Sequence, residues 1–392
     1  MSRVMLVCPE PLAHRQPAGI GIRFIEMARV LHEDGHDISL LSPNDGPIAA
    51  ETLRDVSERS DVAVVQGHIA NDFFAHARAI PTVVDLYDPF IVENLHYYAE
   101  RGAEVFTHDH ATLVSSLLRG DVFLCASEAQ RLFYLGMLIA VGRLNPIAFE
   151  SDPHLDSLLR IAPFGVAPPR PMPESRPNAV LFGGIYDWYD PILAIDAIEI
   201  ACESIRDLTL TFAHHPNAGV TPQSQTERAM QYAKERDYVR FVPWTAYDDR
   251  AVFFDGFSAA LLTFPQSIET DLAMRTRVYD YLWGGLPIVT SSAPGTDEII
   301  QRYDAGAIIR GEDPRHYARA IVDVVRRGPV PGTREFVADH QWSKTLAPLV
   351  EFCRDPRIDR NKEVFAARLQ VPEQPRSIFQ KIKRRVLTSS RA

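Results

Sequence analysis

The chain has only four cysteines in 392 residues: Cys8, Cys125, Cys202 and Cys353, all far apart. They form neither a disulfide framework nor a metal-ligand set, and imply reduced, mostly buried thiols in a cytoplasmic protein. The sequence contains no run of about 20 apolar residues, so it offers no transmembrane helix. Its opening, MSRVMLVCPEP, is too short an apolar stretch for a signal peptide and is broken too soon by proline. Repeats and low-complexity segments are lacking as well. Basic charge is scarce, with 41 Lys and Arg against 51 Asp and Glu and a net charge of −10. The tail from Pro375 carries Arg376, Lys381, Lys383, Arg384, Arg385 and Arg391 and no acid, which leaves the rest of the chain near −16. Such a body lacks the basic footprint of a nucleic-acid binder.

What is present is alternation. The length suits two domains. Residues 3–8 read as a buried strand, followed by the glycine turn Ala18-Gly19-Ile20-Gly21, a helical pattern to about Leu31, and a strand at 37–43. That is a βαβ unit of a parallel sheet. Continuous apolar runs at 62–67, 82–87 and 122–127 extend it, as strands covered on both faces require. Five prolines within 167–177 read as a linker. A second series follows, with strands at 179–184, 208–213, 239–243, 256–264, 288–290 and 305–310 and helices at 191–202, 225–236 and 317–327. The expected fold class is α/β: a Rossmann-like domain over 1–166, a second over 178–341, a helical segment over 342–374 and a basic tail over 375–392. Ligands of such sheets bind at the carboxyl ends of strands.

Several stretches carry a resemblance. Residues 17–36, PAGIGIRFIEMARVLHEDGH, and Pro163-Phe164-Gly165-Val166 are similar to the glycine-rich first helix and the domain-closing element of GT-B glycosyltransferases of the family 4 type. The segment RTRVYDYLWGGLPIVTS (275–291) resembles the donor-site segment of those enzymes, with Asp280 where the second of two glutamates stands. GGIYDWYDP (183–191), HHPN (214–217) and VPWTAYDDR (242–250) look like a branch found with bacterial polysaccharide biosynthesis. The resemblance implies two Rossmann-like domains facing a cleft and transfer of a sugar from a nucleotide-diphosphate sugar to a glycan or lipid-linked acceptor. It also implies retention of configuration, and no metal or other cofactor. The chain departs from the pattern twice. The first acid is Glu269, eleven residues before Asp280 rather than eight, and the usual Arg and Lys after the first strand of the second domain are replaced by IYDWYD. Two rivals remain: a sugar-nucleotide epimerase of the same fold, and an inactive partner subunit.

Against that background each candidate residue has two readings. Arg275 and Arg277 suit a diphosphate, since a guanidinium donates parallel bonds and stays charged; alternatively Arg277 pairs with Asp280 at i,i+3. Both arginines can reach a ligand only if the segment before Val278 is extended. Asp280 suits a ribose, accepting from both hydroxyls. Glu269 is a candidate catalytic acid, facing the transferred sugar, or a helix N-terminal charge. Gly19, Gly21, Gly183 and Gly184 let backbone N–H groups approach a phosphate or form tight turns, and no third glycine completes a dinucleotide fingerprint. His215 follows a strand on the donor side. On the acceptor side stand Asp85, Asp88 and Glu93, where Asp88 is a general base or a helix cap before Pro89. His108, Asp109 and His110 are another acceptor-side group without a third ligand spaced for a metal. In the tail, Ile378, Phe379, Ile382, Val386 and Leu387 recur at helical spacing among Lys381, Lys383, Arg384 and Arg385. That pattern of 377–387 fits an anionic membrane surface, which would make the enzyme peripheral, or a helix packed on the protein.

Overall fold

Apolar runs without polar alternation pair with one another here, in parallel and in register. The structure, a computed structural model, describes residues 1–13, 17–44, 46–98, 102–214 and 223–366. The first sheet joins β1 (Arg3–Val7), β2 (Asp37–Leu41), β3 (Val62–Val65), β4 (Thr82–Asp85), β5 (Val122–Cys125) and β6 (Leu159–Ile161) in the order β2-β1-β3-β4-β5-β6. The second joins β7 (Ala179–Gly184), β8 (Thr209–Ala213), β9 (Val239–Val242), β10 (Ala259–Leu262), β11 (Ile288–Ser291) and β12 (Gly306–Ile309) in the order β12-β11-β10-β7-β8-β9. Every ladder is parallel, with helices as crossovers. These are two Rossmann-like domains in the GT-B arrangement. Their strand order reverses between β1 and β3 and between β7 and β10, the points at which such sheets leave a crevice.

The strands expected from sequence all form, most of them shorter by one or two residues at the carboxyl end, whereas β7 keeps its full expected length and β11 runs one residue longer. The strand β6 was not expected. Its three residues, Leu-Arg-Ile, include a charge and lie at the sheet edge, so no apolar run announces it. The helices Glu128–Ala140 and Pro146–Ser151 were also unforeseen; Ser127 and Asn145 cap them through their side-chain oxygens.

The proline-rich segment is held rather than free. Arg170 pairs with Asp255 at 2.6 Å, Arg176 donates to the carbonyl of Gly284 at 2.6 Å, and Trp283 Nε1 donates to Pro168 at 3.0 Å. After the second sheet the chain returns to the first domain. The helices Trp342–Thr345 and Ala347–Arg354 follow a bridge between Val166 and Gln341. Trp342 is fully buried edge-on to Phe164, with centroids 4.6 Å apart. A Cβ at Gly165 would lie 2.5 Å from the indole, so this approach requires glycine. Ser2 Oγ donates to the Cys353 carbonyl at 2.7 Å and ties the first and last parts of the domain together. Cys8, Cys125 and Cys353 are buried and Cys202 half-buried, all as free thiols. His215 and the tail segment 377–387 lie outside the described residues. Among the described residues no helix is long and apolar enough to cross a membrane.

Removing the indole from this return point should leave an unfilled cavity. Trp342→Ala is expected to cost about 3–5 kcal/mol of stability in denaturant unfolding. A loss below about 1 kcal/mol would show that the return segment is not part of the core.

Candidate functional site

Two helices begin at the cleft between the domains. One, Gly19–Glu33, follows β1; the other, Thr276–Trp283, precedes β11. Their first turns touch: a Cβ on Gly19 would stand 3.1 Å from the Thr276 side chain. Two helix N-termini, with their positive dipole ends, therefore meet. They border a cavity of about 380 Å³ lined also by Glu10, Asp88, Glu93, Arg275, Arg277 and Asp280. A smaller cavity of about 100 Å³ adjoins it, walled by Trp244, Tyr247, Phe253 and Phe254, and shares Arg277 and Asp280.

Both arginines reach the cleft because the helix starts between them. Arg275 is the extended N-cap residue, with φ −69° and ψ 95°, and Arg277 lies in the first turn. Their partners differ from expectation. Arg275 donates from Nη1 and Nη2 to Glu269 at 2.5 and 2.7 Å, both groups being almost fully buried, and lies over Phe264 at 4.8 Å. Glu269, expected to face the transferred sugar, is thereby committed to Arg275 and does not line the cavity. Arg277 does not pair with Asp280. Its Nη1 donates to the carbonyls of Phe182 at 2.9 Å and Gly184 at 2.8 Å, and its guanidinium lies 4.4 Å from the Tyr189 ring centre. Asp280 faces Arg250 at 3.6 Å instead. Burial pushes the Asp280 carboxyl up to about 6 against the pull of Arg250.

The glycines serve approaches other than the expected ones. The N–H groups of Ala18 and Gly21 donate to Glu10 Oε2 at 3.1 and 3.0 Å, and a Cβ on Gly21 would come within 2.7 Å of that oxygen. An internal carboxylate thus occupies part of the first helix N-terminus. Burial raises Glu10 to about 7, opposed by those two hydrogen bonds and assisted by nearby Asp88. Gly183, at φ 83°, passes the Tyr281 hydroxyl, and Gly184 leaves room for the Trp244 ring, 2.9 Å from where its Cβ would be.

Acceptor-side candidates separate into two groups. Asp88 and Glu93 come together in the cleft and share a hydrogen bond. Burial and neighbouring carboxylates raise both carboxyls, Glu93 well above the usual range, and the two titrate as a pair. Asp88 does not cap the following helix, whose N-cap is Pro89 itself. Asp85 is instead fully buried under Arg23, which donates at 2.7 and 3.1 Å, and it does not reach the cavity. Asp109 is also buried, bonded to Asn94 Nδ2 at 2.8 Å and His68 Nε2 at 2.9 Å. His108 is exposed and stacks on His68 with centroids 4.7 Å apart. Asn94 lines the cavity, whereas Asp109 and His108 do not. His110 is exposed. Among the described residues no group of His, Cys, Asp and Glu is arranged to hold a metal ion.

Glu10 and Arg250 were missed. Glu10 lies in a proline-flanked loop with no periodicity, and Arg250 stands seven residues after a strand expected to end at 243. Only the tertiary approach gives either a partner.

No family model matches the chain, and no curated protein matches it. The fold is similar to that of Anabaena Alr3699/HepE, solved in complex with UDP and glucose: TM-score 0.60, 12% identity, 91% of this chain and 100% of that one. It is also similar to AviGT4, a glycosyltransferase involved in avilamycin A biosynthesis, with TM-score 0.56, 13% identity and coverage of 91% and 98%. Sucrose-phosphate synthase from Thermosynechococcus elongatus matches with TM-score 0.53, 12% identity and coverage of 99% and 100%. The chain spans about half the length of S. aureus TarM, covering 55% of it at TM-score 0.51.

Glu10 gives the site a pH signature. Its carboxyl titrates near 7 when folded against an ordinary 4.5, so the folded state holds more protons between those values. Stability should therefore fall as pH rises from about 4.5 to 7, with the slope reporting that proton difference. In urea unfolding across that range, Glu10→Gln should lose this part of the slope; an unchanged slope would mean the carboxyl titrates normally.

Proposed function

We propose that the protein is a glycosyltransferase. It moves a sugar from a nucleotide-diphosphate sugar to a glycan or lipid-linked acceptor, in the making of a surface polysaccharide or glycoconjugate. The observation that carries this reading is the meeting of two helix N-termini beside Arg277, with an aromatic-walled cavity and a carboxylate adjoining. A diphosphate suits that meeting point, because aligned N–H groups and a fixed guanidinium stabilise its charge without reorganising. The base fits among Trp244, Tyr247 and Phe253, and Asp280 accepts from the ribose. The same groups stabilise the leaving nucleotide diphosphate as the glycosidic bond to it breaks.

On the opposite wall the Asp88–Glu93 pair suits the acceptor. Asp88, held by its hydrogen bond to Glu93, accepts from the acceptor hydroxyl and raises its nucleophilicity. Retention of configuration and independence from metal come with the family resemblance and belong to this proposal. UDP-bound and glucose-bound complexes of a protein with the same fold make UDP-glucose a sensible first donor to try.

Calorimetric titration with UDP-glucose and other nucleotide sugars tests the donor half. Arg277→Ala should weaken binding at least about tenfold, the loss of one charged hydrogen bond or more. Asp280→Asn should weaken nucleoside and nucleotide-sugar binding alike. Asp88→Asn should leave donor affinity intact while abolishing transfer to acceptor. Failure of every nucleotide sugar to bind would refute the proposal, and conversion of the donor without acceptor would favour an epimerase.

A further inference from the structure

A sugar carried on a diphosphate lies in what remains of the larger cavity once Arg277 takes the diphosphate and the aromatic cavity takes the base, so this inference rests on the donor site proposed above. The first-domain wall of that cavity carries Glu10, Asp88 and Glu93. Glu269, the acid that the family resemblance aims at the transferred sugar, is locked to Arg275 and does not line the cavity. Reading of the sugar therefore falls to another group. Asp88 and Glu93 are bonded to each other, whereas Glu10 is held in a different way.

Glu10 is built as a fixed carboxylate. Pro9 and Pro11 flank it, each with its own φ locked by the ring. The N–H groups of Leu12 and Ala13 donate to Asn44 Oδ1 at 2.7 and 2.9 Å, which pins this loop to the one after β2. The Ala18 and Gly21 N–H groups both take the same oxygen, Oε2. Oε1 makes no hydrogen bond among the described residues. One oxygen thus fixes the orientation, and the other keeps its acceptor capacity. Tyr186, whose ring lies 5.8 Å from the Arg277 guanidinium, feels the charges of Glu10, Glu93 and Arg277 together. Glu10 therefore stands within electrostatic reach of the group assigned to the diphosphate, as a residue that contacts the attached sugar must.

We propose that Glu10 reads the transferred sugar: Oε1 accepts from its hydroxyls, and the site takes an uncharged, hydroxyl-bearing hexose in preference to the hexuronate of the same shape. A hydroxyl donates to a carboxylate, and a bond to an ionised acceptor is stronger than a neutral one. A sugar carboxylate offers no donor and sets a like charge beside Glu10, Asp88 and Glu93. Of the two guanidiniums that line the cavity, Arg275 is neutralised by Glu269 and Arg277 is taken by the diphosphate. A site arranged to accept from a hydroxyl rejects the analogue lacking it more sharply than an apolar pocket does.

UDP-glucose and UDP-glucuronate differ only at C6 of the sugar, which makes them the matched pair for calorimetric titration, with UDP as reference. The measurement is made at pH 8, above the value near 7 at which the Glu10 carboxyl titrates. The wild-type protein should bind UDP-glucose at least about tenfold more tightly than UDP-glucuronate. Glu10→Gln keeps an oxygen for the Ala18 and Gly21 N–H groups and turns the other acceptor into a donor. It should still bind UDP, which also reports a folded protein, and bring the two sugar nucleotides to within about twofold of each other. If Glu10→Gln fails to fold, Glu10→Asp, which keeps the charge but withdraws it by one methylene, should weaken UDP-glucose relative to UDP. Equal wild-type affinities for the two sugar nucleotides, or ratios untouched by these substitutions, overturn the proposal, while binding of UDP leaves the donor site standing. Failure of UDP and both sugar nucleotides to bind refutes the donor site itself, and the reading by Glu10 falls with it.

Discussion

The buried pair between Arg275 and Glu269 fixes how the two domains meet. Glu269 belongs to the short helix Ile268–Leu272, capped by Ser267, and Arg275 is the N-cap of the next helix. The pair closes residues 269–275 into a rigid loop that projects from the second domain into the first. Leu272 is buried in the first domain's apolar cluster, and its carbonyl accepts from Gln130 Nε2 at 2.9 Å. Gln130 also holds the Tyr87 carbonyl, and the Tyr87 hydroxyl donates to Met274 at 3.3 Å. A carboxylate and a guanidinium this deeply buried persist only because each satisfies the other, and removing one partner would leave an uncompensated charge worth about 3–5 kcal/mol. With the loop so held, the helix beginning at Thr276 points its N-terminus at Gly19.

That arrangement sets the electrostatics of the cleft. Four carboxyl groups line it, Glu10, Asp88, Glu93 and Asp280, and one of its two guanidiniums is already neutralised by Glu269. By formal count such a cavity repels an anion. Burial changes the count by raising all four carboxyls, so that part of the charge is proton-bound near neutral pH. The helix N-termini then supply positive potential that no side-chain tally contains.

Much of the framework was legible in the sequence because continuous apolar runs admit one reading: parallel strands covered on both sides. Val62–Val65 and Ala259–Leu262 are buried throughout, as those runs require. The site was legible in position but less so in pairing. Arg275, Arg277, Asp280, Asp88 and Glu93 do converge: the last two lie just beyond β4, and the first three on the start of the helix that leads into β11. Which cation meets which anion is a tertiary fact. Helical spacing offered Asp280 to Arg277, whereas Arg250 arrives from a separate helix and Arg277 turns to backbone carbonyls. Asp85 looked like a cleft acid from its place at the end of β4, but the alternation of a strand turned it inward to Arg23.

The same logic bears on the missing cations after β7. The loop IYDWYD carries none, and in a chain resembling family 4 enzymes that absence looks disabling. Yet a guanidinium does stand at the carboxyl end of β7. Arg277 reaches it from a helix about a hundred residues later and is planted there by two carbonyls of the strand itself, Phe182 and Gly184. The bulge between Leu181 and Gly183 turns those carbonyls toward it, and the positive φ of Gly183 permits the turn. Tyr186 and Tyr189, in the loop that carries no basic residue, present their rings to the same guanidinium at 5.8 and 4.4 Å. A cation held by carbonyl dipoles and aromatic faces keeps its full charge, whereas one held by a carboxylate does not. Arg275 and Arg277 thus divide two tasks that the sequence presents as one: the first spends its charge on architecture, and the second brings its charge to the cleft uncompensated by any acid within reach of a hydrogen bond among the described residues.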